Sequence, residues 1–182
     1  MLVGVGRRSY NRAAMSKLDF TVRAARPEDV PAAAALGAEL VRFHHGLDPE
    51  RFAILADPPE PGYARFLCGR LKDPNAVVLV AEATGGAADG PVIGYAFGQL
   101  EPLNWMDLLA ACGRFHDLIV HPAYRGRGIG KALADMMLTR LHDRGAARIV
   151  LSVAWANPAA RGLFETLGFR PTMVEMTREG ST

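Results

Sequence analysis

Apolar and polar residues alternate over Phe20–Ala24, a period of two that predicts a short strand. Pro27, followed by Glu28 and Asp29, opens a helix: proline suits a first turn, and acids complement the positive end of the dipole. Val30, Ala33, Ala34, Leu36, Leu40 and Val41 form its buried stripe and carry it to about His44. Phe43–Phe52 reads as a loop turning at Asp48-Pro49, and Pro58–Gly62 as a stiff break. A second helix is expected over Tyr63–Lys72, burying Phe66, Leu67 and Leu71. Ala76–Glu82 and Val92–Leu100 read as a hairpin joined by the Gly/Ala-rich turn Gly85–Gly90. Pro102–Cys112 is expected to be an insertion holding Trp105 and a short helical run, before a strand at Gly113–Val120.

The helix from Gly128 to about Arg144 has the clearest period, through Ile129, Leu133, Met136, Met137 and Leu141. Gly145 stops it. A strand is expected at Arg148–Val153. Asn157 then caps a helix with Pro158 in its first turn and Ala160, Leu163, Phe164 and Leu167 as its stripe. Phe169–Thr177 reads as the last strand. Strand, two helices, three strands, helix, strand, helix, strand is the order of an α/β fold of the mixed α+β kind. It predicts a central mixed sheet with helices on both faces.

The passage from strand to helix at Phe115–Leu133 carries the chemistry. Gly126, Gly128 and Gly130 alternate with Arg125, Arg127, Ile129 and Lys131. Glycines so spaced let successive amides point at one spot, and the helix start adds free N–H groups and its dipole. This is a phosphate site. It is not a P-loop, because Ala132 follows Gly130-Lys131 where a hydroxyl must hold Mg²⁺. It is not a dinucleotide fingerprint either: Leu133 stands where the last glycine belongs, and strand Arg148–Val153 has no acid at its end.

Arg125-Gly126-Arg127-Gly128-Ile129-Gly130 instead fits [QR]-x-x-G-x-[GA], and resembles the pyrophosphate loop of the GCN5-related N-acetyltransferase superfamily. Asn157-Pro158-Ala159-Ala160-Arg161-Gly162-Leu163-Phe164-Glu165-Thr166-Leu167-Gly168-Phe169 is similar to the family's N-x-x-A-x-x-[LF]-[YF]-x-x-x-G-F segment. The two motifs stand in the family's order and cover the last third of the chain.

The resemblance implies that family's three-layer fold, with a twisted, mostly antiparallel sheet of about six to seven strands. It also implies acetyl-CoA as co-substrate and a primary amine of a small molecule or of a peptide or protein N-terminus as acceptor. Arg125, Gly126, Arg127, Gly128, Ile129, Gly130 and Lys131 would hold the pyrophosphate, and the backbone of Leu118, Ile119 and Val120 the pantetheine arm. Asn157 would contact that arm as well as cap its helix. A backbone N–H in the strand would polarise the thioester carbonyl.

Three residues are candidates for the base. His116 precedes the cofactor-binding stretch, and imidazole titrates near neutrality. Asp117 follows it, and strict alternation puts it on the opposite face. Glu101 could act through water. The family's acid is a tyrosine where this chain has Phe164, which has no proton to give and would pack at the sulfur end. Tyr124 is expected to lie too far from the sulfur, while Tyr95 stays open as a donor. Trp105 and Trp155 read either as pocket lining or as core.

Composition changes this picture little. The chain has 182 residues, of which 49% are hydrophobic and 22% charged, as in an ordinary globular domain. A net charge of +2 gives no argument for nucleic acid. No apolar run reaches the ~20 residues of a membrane span. Cys68 and Cys112 build neither a disulfide framework nor a metal motif, and His44-His45 with Asp48 reads as solvated loop, so no metal is expected. A reducing cytoplasm is the expected setting. Residues 1–17 read as a disordered extension, with Arg7, Arg8 and Arg12, no acid before Asp19 and a start-like Met15; residues 18–182 read as one domain. A homodimer is compatible, since dimers are frequent in the family. The competing expectation is a non-catalytic acyl-CoA-binding or sensing module, which Phe164 keeps open.

Overall fold

The computed structural model describes residues 19–84 and 90–180. The expected extension at residues 1–17 and most of the expected turn Gly85–Gly90 lie outside them. One five-stranded sheet runs in the order β1-β2-β3-β4-β5, with β1 Phe20–Ala24, β2 Ala76–Ala83, β3 Val92–Glu101, β4 Cys112–Val120 and β5 Ile149–Leu151. The first four are antiparallel neighbours; β5 lies parallel to β4, after a crossover through helix α3, Ile129–Asp143. Helices α1, Val30–Leu47, and α2, Glu60–Arg70, cover one face of the sheet. Helix α3 and helix α4, Pro158–Thr166, cover the other.

Two cores follow from this layering. On the α3 side, Ile129, Leu133, Met137 and Leu141 meet Leu79, Ile93 and Phe115. On the α1/α2 side, Val30, Ala33, Leu36 and Leu67 meet Val78, Val80, Tyr95 and Phe97. The period-two strands β2 and β3 feed both, because successive side chains point to opposite faces and both faces are covered.

Several expectations are corrected. Helix α1 opens with a 3-10 turn at Pro27–Asp29 and runs to Leu47, past the expected stop near His44. Helix α2 starts at Glu60, so Pro61 and Gly62 lie in its first turn, where missing or free amides are tolerated. Only Leu67 of its expected stripe is fully buried; Phe66 is 42% exposed. Residues 102–111 hold a tight turn with a bridge between Asn104 and Leu109 in place of a helical run. No strand follows α4 among the described residues, which leaves five strands against the expected six to seven. A strand needs an edge to pair with. Here β5 has only three residues, and Pro171 brings no amide to a ladder. The segment is held instead by Arg51, whose guanidinium donates to the Glu175 carboxylate.

Candidate active site

Gly126 and Gly128 both take left-handed backbone, φ 74° and 83°, where a side chain is strained. Gly128 is the N-cap of α3, and no side chain caps that end among the described residues. The first bond into the helix runs from Ala132 N–H to the Gly128 carbonyl, 3.0 Å. The amides of Ile129, Gly130 and Lys131 therefore have no partner within the helix. Free amides, a positive dipole end and open space at both glycine Cβ positions fit a phosphate oxygen. The cations brace the loop. Arg125 Nε donates to the Val120 carbonyl at 3.0 Å, and Arg127 lies over the Tyr124 ring, 5.8 Å from its centroid. Lys131 Nζ is 2.7 Å from Asp135 Oδ2, so part of its charge is already spent.

Beside this loop the sheet forks. β4 and β5 pair over three rungs only, Gly113–Ile149, Arg114–Val150 and Phe115–Leu151. From His116 to Val120, β4 has β3 along one edge and, among the described residues, no strand along the other. Ile119 turns its side chain into the α1/α2 core, while Leu118 and Val120 turn theirs toward α3. The open edge therefore offers main chain, except that the Val120 carbonyl already serves Arg125.

The fork coincides with a break in alternation. Phe97 pairs with Asp117 and its neighbour Gly98 with Phe115, so His116 is the extra residue of a β-bulge. The expectation that His116 and Asp117 face opposite ways fails for this reason. His116 stacks on the Phe97 ring, with centroids 5.1 Å apart and planes at 16°. Asp117 accepts from the Tyr95 and Tyr63 hydroxyls at 3.0 and 2.5 Å. Phe97, Tyr95 and Tyr63 all belong to the α1/α2 side.

His116 and Glu101 meet directly: Nε2 is 3.0 Å from Oε1. With the carboxylate ionised, the ring nitrogen donates. Neutral His116 then presents its Nδ1 lone pair, oriented by both the carboxylate and the stack on Phe97. Gln99 Nε2 also donates to Glu101, and Arg70 donates to Gln99 and Asp73. Sequence reasoning named His116 and Glu101 as alternatives; the fold makes them a pair.

Asp117 is spent differently. Burial lifts its carboxyl above the ordinary range, against the pull of the two tyrosine hydroxyls. Burial first, and the Asp117 charge second, push both phenols far up, so they stay protonated donors. Tyr95 is thus committed to Asp117 and is fully buried. Tyr63 was missed by sequence reasoning, and its ring fits only because Gly37 of α1 has no side chain. A Cβ there would stand 2.1 Å from Tyr63 Cε1. Gly37→Ala is expected to lower stability by about 1–3 kcal/mol through overpacking, despite the up to ~1 kcal/mol that alanine gains over glycine in a helix. A lower urea midpoint with unchanged slope checks this; an unchanged or higher midpoint would contradict it.

The remaining candidates are placed as follows. Asn157 Oδ1 accepts from Ala160 N–H at 3.1 Å and caps α4. Phe164 is buried edge-on to Phe115 and Phe169. Tyr124 stays beside the phosphate loop, edge-on to His121. Trp105 and Trp155 are 78% and 77% exposed, so neither is core. His44 and His45 direct their Nδ1 atoms to the Leu40 and Phe52 carbonyls.

Four similarities bear on the site. The chain is 45% identical over 152 residues to the mycothiol acetyltransferase of Beutenbergia cavernae, an alignment covering 76% of this chain and 47% of that protein. It is 36% identical over 58 residues to the ribosomal protein bS18-alanine N-acetyltransferase of Escherichia coli, covering 32% of this chain and 39% of that one. The chain thus spans less than half the length of either relative. The fold matches that of an aminoglycoside N-acetyltransferase in complex with CoA, with a TM-score of 0.65 at 17% identity over 91% of this chain and 97% of that one. The sequence profile of the acetyltransferase (GNAT) family matches residues 40–169, which takes in α2, the fork, the glycine-rich loop before α3 and α4. By that match the chain belongs to the acetyltransferase (GNAT) family.

Proposed function

We propose that this chain transfers the acetyl group of acetyl-CoA to a primary amine, on a small molecule or at a peptide N-terminus. The observation that carries this reading is one strand, β4, with three features in sequence: a histidine–carboxylate pair, an open main-chain edge, and uncapped amides at the start of α3. Acetyl-CoA supplies the acyl group as an activated thioester. The amides of Gly128–Lys131 hold the diphosphate, and Arg125 and Arg127 add charge. The open edge at Leu118–Val120 binds the pantetheine arm, and an N–H there polarises the carbonyl. His116 takes the proton of the amine through Nδ1, and Glu101 stabilises the imidazolium. The C–N bond forms as the C–S bond breaks, and the departing sulfur is protonated from solvent, because Phe164 has no proton to give. The names of the relatives, a mycothiol acetyltransferase and a ribosomal protein bS18-alanine N-acetyltransferase, support both a small-molecule and a protein acceptor.

The second reading, a sensor that binds acyl-CoA without turnover, draws on buried Phe164 and committed Tyr95. Incubation with acetyl-CoA and a panel of amines, including alanyl peptides and amino sugars, separates the two. Release of free thiol dependent on an amine is the expected result. Tight coenzyme binding with no turnover on any amine would favour the sensor.

A further inference from the structure

The connection from β5 to α4 begins where the sheet forks. Arg114 Nη2 donates to Ser152 Oγ at 3.2 Å, just past the last β4–β5 rung. Three residues on, Trp155 presents its indole to solvent. The Arg161 guanidinium carbon lies 4.5 Å over that ring, a cation–π stack that holds both side chains in place. Arg161 is four positions after Asn157, so it stands one turn above the cap, on the same face of α4.

Arg161, like Arg127 over Tyr124, is held against an aromatic ring and not by an acid. Arg23, Arg42, Arg51 and Arg70 each pair with an acid. Among the described residues no carboxylate lies within ion-pair distance of Arg161, not even Glu165 one turn further along. Its Nε is shielded from solvent and has no hydrogen-bond partner. The guanidinium is therefore held by a ring and not by a counter-charge. A planar cation fixed in this way pairs with phosphate or carboxylate through two parallel bonds. The exposed indole beside it takes a flat or apolar group attached to that anion.

We infer that Trp155 and Arg161 form an anion-recognising subsite at the mouth of the fork, for a phosphate or carboxylate carried by one of the two substrates. The inference rests on the acetyltransferase reading, which puts both substrates at this fork. A phosphate comes from the donor, as the 3′-phosphate of coenzyme A; a carboxylate comes from the acceptor.

Trp105→Phe leaves Trp155 as the reporter tryptophan, since the chain has two tryptophans. In that background, Trp155 emission is followed during titration with coenzyme A, with 3′-dephospho-coenzyme A, and with an alanyl peptide bearing a free or an amidated C-terminus. Each titration is repeated with Arg161→Ala, and with Arg161→Lys to keep the charge without the fork. Circular dichroism confirms the fold. Arg161→Ala is expected to weaken one anionic ligand about tenfold and leave its uncharged counterpart unmoved. Loss confined to coenzyme A assigns the donor phosphate; loss confined to the free-carboxylate peptide assigns the acceptor. The inference is overturned if wild-type and Arg161→Ala proteins bind all four ligands equally, or if no ligand changes Trp155 emission. Coenzyme A bound with unchanged affinity would leave the acetyltransferase reading standing, whereas no binding of coenzyme A to the parent protein would remove both.

Discussion

Gly128→Glu is expected to weaken acetyl-CoA binding about a hundredfold while leaving the fold in place. Two effects add at this position. Gly128 sits at φ 83°, where any residue with a Cβ is strained by about 1–2 kcal/mol. That cost is tolerable, and no atom lies within 4 Å of a Cβ built there, so the chain still packs. The decisive effect is electrostatic. A carboxylate at the N-cap turns onto the same amides that would hold the diphosphate, and it repels the dianion. Losing two charge-assisted hydrogen bonds at ~1.5 kcal/mol each corresponds to a weakening of about a hundredfold. Gly128→Ala, which carries the strain without the charge, is expected to bind far better than Gly128→Glu. Calorimetric titration with acetyl-CoA, beside thermal unfolding of each variant, reads both effects. Equal affinity in wild-type and Gly128→Glu proteins would show that the diphosphate binds elsewhere.

The second large effect is at His116. His116→Gln is expected to lower kcat by roughly 10²–10⁴, the range for loss of a positioned general base. KM for acetyl-CoA should hardly move, because His116 lies on the bulge and not on the phosphate loop. The pH–rate profiles of wild-type and His116→Gln proteins are expected to differ. Glu101→Gln keeps the imidazole but removes the charge that stabilises it protonated, and should cost less than His116→Gln. A pH–rate profile shared by wild-type and His116→Gln proteins would exclude His116 as base.

Much of this was legible before the fold was known, for a physical reason. The glycine-rich turn at Gly126–Gly130 and α3 are local: glycine spacing, an arginine pair and a clean 3.6-residue period lie within one stretch of chain. Asn157 as cap is local in the same way. What depended on distant pairing was not legible. The bulge exists because β3 and β4 align with one residue to spare at His116, and no pattern within β4 announces it. Alternation therefore misplaced Asp117. Its partner Tyr63 is 54 positions away on α2, and the Gly37 notch that admits Tyr63 lies on a third element. The strand expected at Phe169–Thr177 failed likewise: its pairing depends on an edge that β5, three residues long, barely provides. Trp155 read as pocket lining or core, and only its exposure and its stack on Arg161 gave it another meaning.

A crystal structure with coenzyme A bound tests the central claim most directly. The account predicts diphosphate oxygens within hydrogen-bond distance of the amides at Gly128–Lys131, and the pantetheine arm along the open edge of β4 toward His116. A diphosphate seated anywhere else, with those amides left facing water, would contradict it.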